Sequence, residues 1–456
     1  MRGEVDVEVF VTPGLGDCSY LLASGSEAVL VDPQRDVGSM LEAAETRGLR
    51  LRYVLETHVH NDYLSGAAEV RAATGAQTVG PVGARYAFPF MPMADGDEIA
   101  LGELRLVGLA TPGHTPEHTS YAVLAEEGCG AIAVFSGGSL MVGSAGRSDL
   151  LGPDLTQELA RAQYRSLRRF DSFADDTLLL PTHGAGSFCA SGPANEEPTS
   201  TIGRERTTNP ALTAPDEETF VREHLSGLLA HPTYYAHMAP INRAGPAVRG
   251  GVPMPEPLDV EAVARRLERG ARLVDARAGA AFASAHVPGS LNSPLEDTFA
   301  SYVGWLVPFG TQIVLLADGA DARAEATVQL FRIGYEPLAG YLDGGVDTWA
   351  DSGRRLSAYP TATVDDLRAI TEREAGRILD VRQRREWDEG HVEGSRHCFV
   401  GDLPTRLREL SGAGELVVAC VSGHRSSIAA SVLDAAGLPV RLVAEGGMPD
   451  LLPALA

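Results

Sequence analysis

The sequence predicts an α/β multidomain protein. Three features predict it: histidine-bearing turns that close three strands in the first half, a strand–helix plan that occurs twice in the second half, and apolar residues supplied evenly throughout. The length of 456 residues implies about three domains. Hydrophobic residues make up 44% and aromatics only 6%, with no long polar tract, so the whole chain reads as globular.

In the first half, Leu51-Arg52-Tyr53-Val54-Leu55 alternates and reads as a strand. It runs into Thr57-His58-Val59-His60-Asn61-Asp62-Tyr63, a spacing that gathers His58, His60 and Asp62 at the strand end. A second apolar run, 104–109, closes on Pro112-Gly113-His114, and a third, 177–180, closes on Pro181-Thr182-His183. Between them, the strand 131–135 leads into the turn Ser136-Gly137-Gly138. Histidine turns at three strand ends are a metal-site pattern. His58, His60 and His114 alone are enough to hold zinc with one position open.

These motifs resemble the metallo-β-lactamase fold, an αββα sandwich, and are most similar to its persulfide dioxygenase branch. That branch carries T-H-x-H-x-D, P-G-H-T, and a T-G-D turn leading to G-R-x-D. The resemblance implies Fe(II) held by His58, by His114 and by a carboxylate where this chain has Gly138. It therefore implies a site that keeps His58 and His114, with Asp62 or water in the third place and His60 beside them. Gly138→Asp is expected to raise oxygen uptake. Tyr63 stands where hydrolases of this fold have a His for a second metal. Arg147, in Gly146-Arg147-Ser148-Asp149, matches a substrate-pocket Arg of the family and reads equally as a salt bridge to Asp149. His118 is expected outside the ligand set.

The connecting region follows from composition. Residues 191–199 read as a loop and 216–230 as an amphipathic helix with Pro215 at its entry; the Gly- and Pro-rich stretch 245–257 separates the halves. In the second half, Arg272-Leu273-Val274-Asp275-Ala276-Arg277 matches Arg377-Ile378-Leu379-Asp380-Val381-Arg382, and His286-Val287-Pro288-Gly289-Ser290 matches His391-Val392-Glu393-Gly394-Ser395 at the same spacing. Gly344-Gly345 matches Gly446-Gly447, and Pro360 marks the join. Strands alternating with helices imply a parallel sheet covered on both faces. This plan resembles the rhodanese fold, twice over. The expected domains are 1–245, metallo-β-lactamase-like, then 257–357 and 361–456, each rhodanese-like and parallel α/β.

Rhodanese chemistry lies in the loop after the central strand. In the second repeat that loop is Cys420-Val421-Ser422-Gly423-His424-Arg425. A Cys between a buried strand and a helix N-terminus lies among N–H groups that favour a thiolate, and Arg425 adds a charge. Cys420 and Arg425 are therefore the expected catalytic pair, with Gly423 contacting substrate. The four residues between them are one fewer than in phosphatases of the related cradle, which points to sulfur rather than phosphate. The matching residue of the first repeat is Asp318, which cannot form a persulfide. Cys18, Cys129, Cys189 and Cys398 read as packing residues.

The net charge of −23, with Arg supplying all 38 basic residues, argues against nucleic acid and against an anionic membrane. No apolar run approaches the ~20 residues of a membrane span, and the start is charged. Five scattered Cys do not form a disulfide framework, so a cytoplasmic setting is expected. The resemblance implies a persulfide dioxygenase–sulfurtransferase fusion acting on a low-molecular-weight thiol persulfide or thiosulfate, with homo-oligomerisation left open. Two other readings stay open: a sulfurtransferase with a degenerate front domain, and a mononuclear zinc hydrolase.

Overall fold

The computed structural model describes residues 5–125, 130–184, 186–191 and 197–452. Cys129 and residues 192–196 of the expected loop lie outside them. The chain folds into two compact units, one of residues 1–252 with 332–334, the other of the remainder.

The first unit holds two six-stranded sheets. One is formed in order by β1 (Val7–Thr12), β2 (Asp17–Ser24), β3 (Glu27–Val31), β4 (Arg50–Leu55), β5 (Gln77–Pro81) and β6 (Met91–Met93). Its first three strands are antiparallel and the rest parallel. The other sheet follows from β7 (Glu98–Leu101), β8 (Leu104–Ala110), β9 (Thr119–Leu124) and β10 (Ala133–Gly137). A small hairpin of β11 (Leu140–Met141) and β12 (Ser144–Ala145) intervenes before β13 (Leu178–Pro181) and β14 (Ser200–Thr201) complete it, in the order β14-β13-β10-β9-β8-β7.

Tyr20, Leu22, Val29, Val31 and Leu55 of the first sheet pack against Leu106, Tyr121, Val123 and Phe135 of the second. The alternate residues Leu21, Leu30 and Val54 point outward and are covered by Met40 and Val70 of the helices Gly38–Thr46 and Ala67–Thr74. Val134 and Leu179 are covered likewise by Ala160 and Leu167 of the helix Pro153–Arg168. Because both faces are buried, strands such as β2 show little polar alternation. This is the αββα sandwich the motifs imply. The helix expected over 216–230 is shorter, Glu217–Ser226, because the chain leaves the helix at Gly227; Asp216 caps its start by accepting from the Thr219 N–H.

The second unit holds two parallel five-stranded sheets of one design. The first has β15 (Pro257–Leu258), β16 (Arg272–Asp275), β17 (Leu291–Asn292), β18 (Ile313–Leu316) and β19 (Gly340–Leu342), in the order β15-β19-β18-β16-β17. The second has β20 (Thr361–Ala362), β21 (Ile378–Asp380), β22 (Arg396–His397), β23 (Leu416–Ala419) and β24 (Val440–Val443), in the order β20-β24-β23-β21-β22.

The structure explains the repeated Asp-x-Arg. Each Arg folds back two residues onto its Asp, with Nη2–Oδ2 distances of 2.6 Å in both repeats, and spans to the carbonyl of Ala285 or Gly390. Asp275 and Asp380 are both fully buried, so each pair is a clip at the end of a central strand. Removing one partner leaves a buried charge uncompensated. Asp380→Ala is expected to cost about 3–5 kcal/mol, read as a lower urea midpoint for the second unit.

The helix His424–Ala435 is buried on nearly every side. Residues of the first repeat cover part of it: the Asn292 N–H donates to Ser431 Oγ at 3.0 Å, and His286 Nε2 lies 3.1 Å from Asp434 Oδ2.

Candidate functional site

Two sites emerge, one in each unit. In the first unit, β4, β8 and β13 each end in a histidine turn, as the sequence predicts. The rings of His58, His114 and His183 stand with centroids 4.8–5.3 Å apart. All three residues are essentially fully buried. Among the described residues, three groups could hold a metal ion: His58 with His114 and His183, Asp32 with His58 and His60, and His60 with Asp62 and His183.

Hydrogen bonds fix how each ring presents itself. Thr57 Oγ1 donates to Asp32 Oδ2 at 2.7 Å, so it accepts from His58 Nδ1 at 2.8 Å. The carbonyl of Arg147 accepts from His114 Nδ1 at 2.8 Å, which leaves His114 Nε2 buried without a hydrogen-bond partner. His183 Nδ1 lies 2.7 Å from Asp17 Oδ1, and Gln34 donates to the other Asp17 oxygen. Burial raises the Asp17 carboxyl well above its usual range and lowers His183. Burial, together with the neighbouring rings, pushes His58 and His114 well down, so both imidazoles are neutral. Neutral imidazoles with one nitrogen anchored and the other free are what a metal centre requires. The residues present therefore fit a metal ion.

His60 differs. Its Nε2 lies 3.0 Å from Glu56 Oε2, 3.3 Å from Asp32 Oδ1 and 3.1 Å from the Tyr63 hydroxyl. Burial opposes its charge, but the carboxylates of Asp32 and Glu56 outweigh burial and hold its pKa well above the ordinary histidine value. Tyr63 stacks on His60 at 4.3 Å, filling the space a second-metal ligand would need. His118 has both nitrogens engaged: Nε2 accepts from the Gly138 N–H at 2.9 Å and Nδ1 meets Thr111 Oγ1 at 2.9 Å.

Asp32 is the residue that sequence reasoning missed. It accepts from the Thr57 N–H and from the hydroxyls of Thr57 and Thr182, and it faces His60. One carboxylate thus braces the turns that carry His58, His60 and His183. Its φ of 47° is uncommon for a side chain other than glycine; no motif signals it beyond an Asp-Pro at a strand end.

In the second unit, Cys420 follows β23 and sits under the loop 421–423. The Gly423 N–H points at Cys420 Sγ from 3.2 Å, and Ser426 Oγ lies 3.6 Å away. Gly423 has φ 102°, and a Cβ there would meet the Ala444 carbonyl at 1.8 Å, so only glycine closes the cradle. Gly447 is required in the same way, since its Cβ would lie 2.2 Å from the Cys420 carbonyl. The Gly-Gly turn is thus the floor of the nucleophile loop. Helix Phe299–Leu306 of the first repeat adds Tyr302, whose ring meets His424 edge-on at 5.6 Å. Asp318 lies on the surface after β18.

Family models match this chain twice over. Residues 13–183 match the metallo-beta-lactamase superfamily, and residues 259–352 and 363–451 each match the rhodanese-like domain. A hydroxyacylglutathione hydrolase of Methylococcus capsulatus is 34% identical over 206 residues, which cover 44% of this chain and 75% of that one. The chain belongs to the metallo-β-lactamase superfamily, with two rhodanese-like domains behind. The human protein named persulfide dioxygenase ETHE1, mitochondrial, is 31% identical over 205 residues, covering 44% of this chain and 73% of that one. A crystal structure titled as a metallo-beta-lactamase from Staphylococcus aureus aligns with a TM-score of 0.67 at 28% identity, over 75% of this chain and 99% of that one. Among the described residues no helix is long and apolar enough to cross a membrane.

The geometry bears on four of the residues singled out in the metallo-β-lactamase and rhodanese sites. Asp62 is grouped with His60 and His183 rather than with His58 and His114, because its Oδ2 lies 3.3 Å from His183 Nδ1. Gly138 is not a vacancy for a carboxylate. A Cβ there would lie 2.3 Å from the Cδ2 of His114, so Gly138→Asp displaces the His114 ring instead of restoring a ligand. Arg147 forms the salt bridge that is one of its two readings: its guanidinium is buried, forked onto Asp149 at 2.6 and 2.8 Å, and capped by the carbonyls of Phe188 and Leu229. Arg425 does not present a free charge to Cys420, because Glu386 holds it in a bidentate pair at 2.5 and 2.8 Å.

Proposed function

We propose that this chain is a sulfur-metabolism enzyme in which Cys420 transfers sulfane sulfur and the front site oxidises a thiol persulfide to sulfite at a mononuclear iron. The proposed domains are 1–245, 257–357 and 361–456. The cradle of Cys420 carries the reading. The Gly423 N–H stands 3.2 Å from Sγ at the start of a buried helix, a donor placed to hold the sulfur that carries charge during transfer.

With thiosulfate, the Cys420 thiolate attacks the sulfane sulfur. The S–S bond breaks, sulfite leaves with the electron pair, and Cys420 carries a persulfide. Cyanide or a thiolate then attacks the outer sulfur and returns Cys420 to its thiolate. The Gly423 N–H holds the anion in both states.

In the front site His58 and His114 would hold the metal by Nε2. Iron bound there supplies the redox chemistry that joins O₂ to the outer sulfur of a persulfide. The net reaction balances: RSSH, O₂ and H₂O give RSH and H₂SO₃. Thr57, the Arg147 carbonyl and Asp17 orient the rings of His58, His114 and His183, burial keeps those of His58 and His114 neutral, and Tyr63 and the buried walls limit water.

A second reading, a zinc-dependent thioester hydrolase, is favoured by the similarity to hydroxyacylglutathione hydrolases. It is weakened at Tyr63 and Gly138, where two ligands of a two-metal site are missing. The two readings separate when Fe(II)-loaded and Zn(II)-loaded protein are each given a thiol persulfide and an acyl-glutathione thioester. Oxygen uptake with the persulfide, dependent on Fe(II), is the expected result. Thioester hydrolysis with Zn(II), and no oxygen uptake with iron, would overturn the proposal for the front site.

A further inference from the structure

We infer that the cleft between the two rhodanese-like repeats is a binding site for an aliphatic monocarboxylate, whose chain lies along the apolar walls and whose head pairs with Arg272. The site is separate from Cys420. The helix His424–Ala435 begins beside Cys420 and meets the cleft at its other end, about 18 Å along its axis. The inference stands apart from the sulfur chemistry proposed above.

The cleft has the size and walls of a small-molecule site. It holds about 630 Å³, within the range of pockets that take drug-sized ligands. Leu267, Leu291 and Leu306 line it from the first repeat, and Leu407, Val432 and Ala435 line it from the second. Among the described residues that line it, Arg272 alone is charged.

The second repeat supplies the comparison for Arg272. Arg377 stands at the matching place there. Its guanidinium is held by Glu374 at 3.0 Å and by both the carboxylate and the carbonyl of Glu415. The first repeat lacks both acids: Arg269 stands three residues before Arg272, and Gln312 stands just before β18. Gln312 is still beside Arg272, since its carbonyl accepts from the Arg272 N–H at 2.8 Å, but it brings no charge. Among the described residues the Arg272 guanidinium has no hydrogen bond, ion pair or ring contact. Burial pushes it below the ordinary arginine value, and no carboxylate opposes the shift.

A guanidinium drawn partly out of water with no anion beside it costs free energy, and a bound carboxylate offsets that cost through a two-pronged pair. The walls decide the rest of the ligand. Aliphatic side chains offer no donors or acceptors, so a hydrocarbon chain matches them. A dianion such as phosphate would leave one of its charges facing leucines. The net charge of −23 repels anions in general, so a preference for a carboxylate has its source at Arg272.

Calorimetric titration of the whole chain with octanoate and with 1-octanol tests the site. One octanoate per chain is expected, bound at least about tenfold tighter than 1-octanol, which has the same chain without the charge. Hexanoate is expected to bind about tenfold more weakly than octanoate, because it lacks two CH₂ groups. Arg272→Met keeps the apolar stem and removes the charge. It is expected to bring octanoate down to the level of 1-octanol, while the urea midpoint holds or rises, since the charge removed had no partner. Ala435→Trp fills the cleft from the second repeat and is expected to weaken both ligands alike. No binding of octanoate, equal affinity for octanoate and 1-octanol, or undiminished octanoate binding in either variant would overturn the inference. So would a lower urea midpoint in Arg272→Met, which would make Arg272 a group of the fold and not of a site.

Discussion

Cys420→Ser is expected to abolish sulfane-sulfur transfer from thiosulfate to cyanide, by at least about a thousandfold. A serine hydroxyl stays protonated near neutral pH, so no nucleophile forms. The substitution keeps the volume of the side chain and the Gly423 N–H, and the fold should be unaffected. Asp318→Ala serves as the control. It removes the residue at the matching place in the first repeat, which lies on the surface, and the transfer rate should stay unchanged. The measurement is thiocyanate formation under saturating thiosulfate. A Cys420→Ser enzyme that turns over normally would place the chemistry elsewhere.

His58→Ala and His114→Ala should each strip the front site of metal. Each removes a neutral imidazole whose second nitrogen is already fixed by Thr57 or by the Arg147 carbonyl. One ligand fewer leaves too few donors for tight binding at a buried site, and a loss of about a hundredfold in affinity is expected. Metal content after purification without added metal is the readout, with thiosulfate turnover as the internal check. Since Cys420 lies in the other unit, transfer to cyanide should persist in both variants. Full metal occupancy in the double variant would show that the histidine turns hold nothing.

Local spacing made the strand ends and the nucleophile loop legible. The strand 416–419 has the limits its apolar run suggests, and the helix after Cys420 begins two residues earlier than its sequence suggests, at His424. What escaped depends on distance along the chain. His183 is visible as a third histidine turn, but its anchor is Asp17, 166 residues away. Glu386, which neutralises Arg425, lies 39 residues upstream. Asp32 joins turns at 57 and 182 by hydrogen bonds that no periodicity encodes. Gly138 shows the limit most clearly. In the sequence it is a ligand removed; in the fold it is room for a ring, and room is a property of packing rather than of a motif.

The contact between Asn292 and Ser431 has a further consequence. The helix that begins beside Cys420 is roofed partly by the repeat that has no nucleophile. A fragment starting at the second repeat would bare the buried serines and apolar residues of that helix to water and leave Ser431 without its donor. The first repeat thus shields the helix that follows Cys420, a covering role that requires no nucleophile of its own.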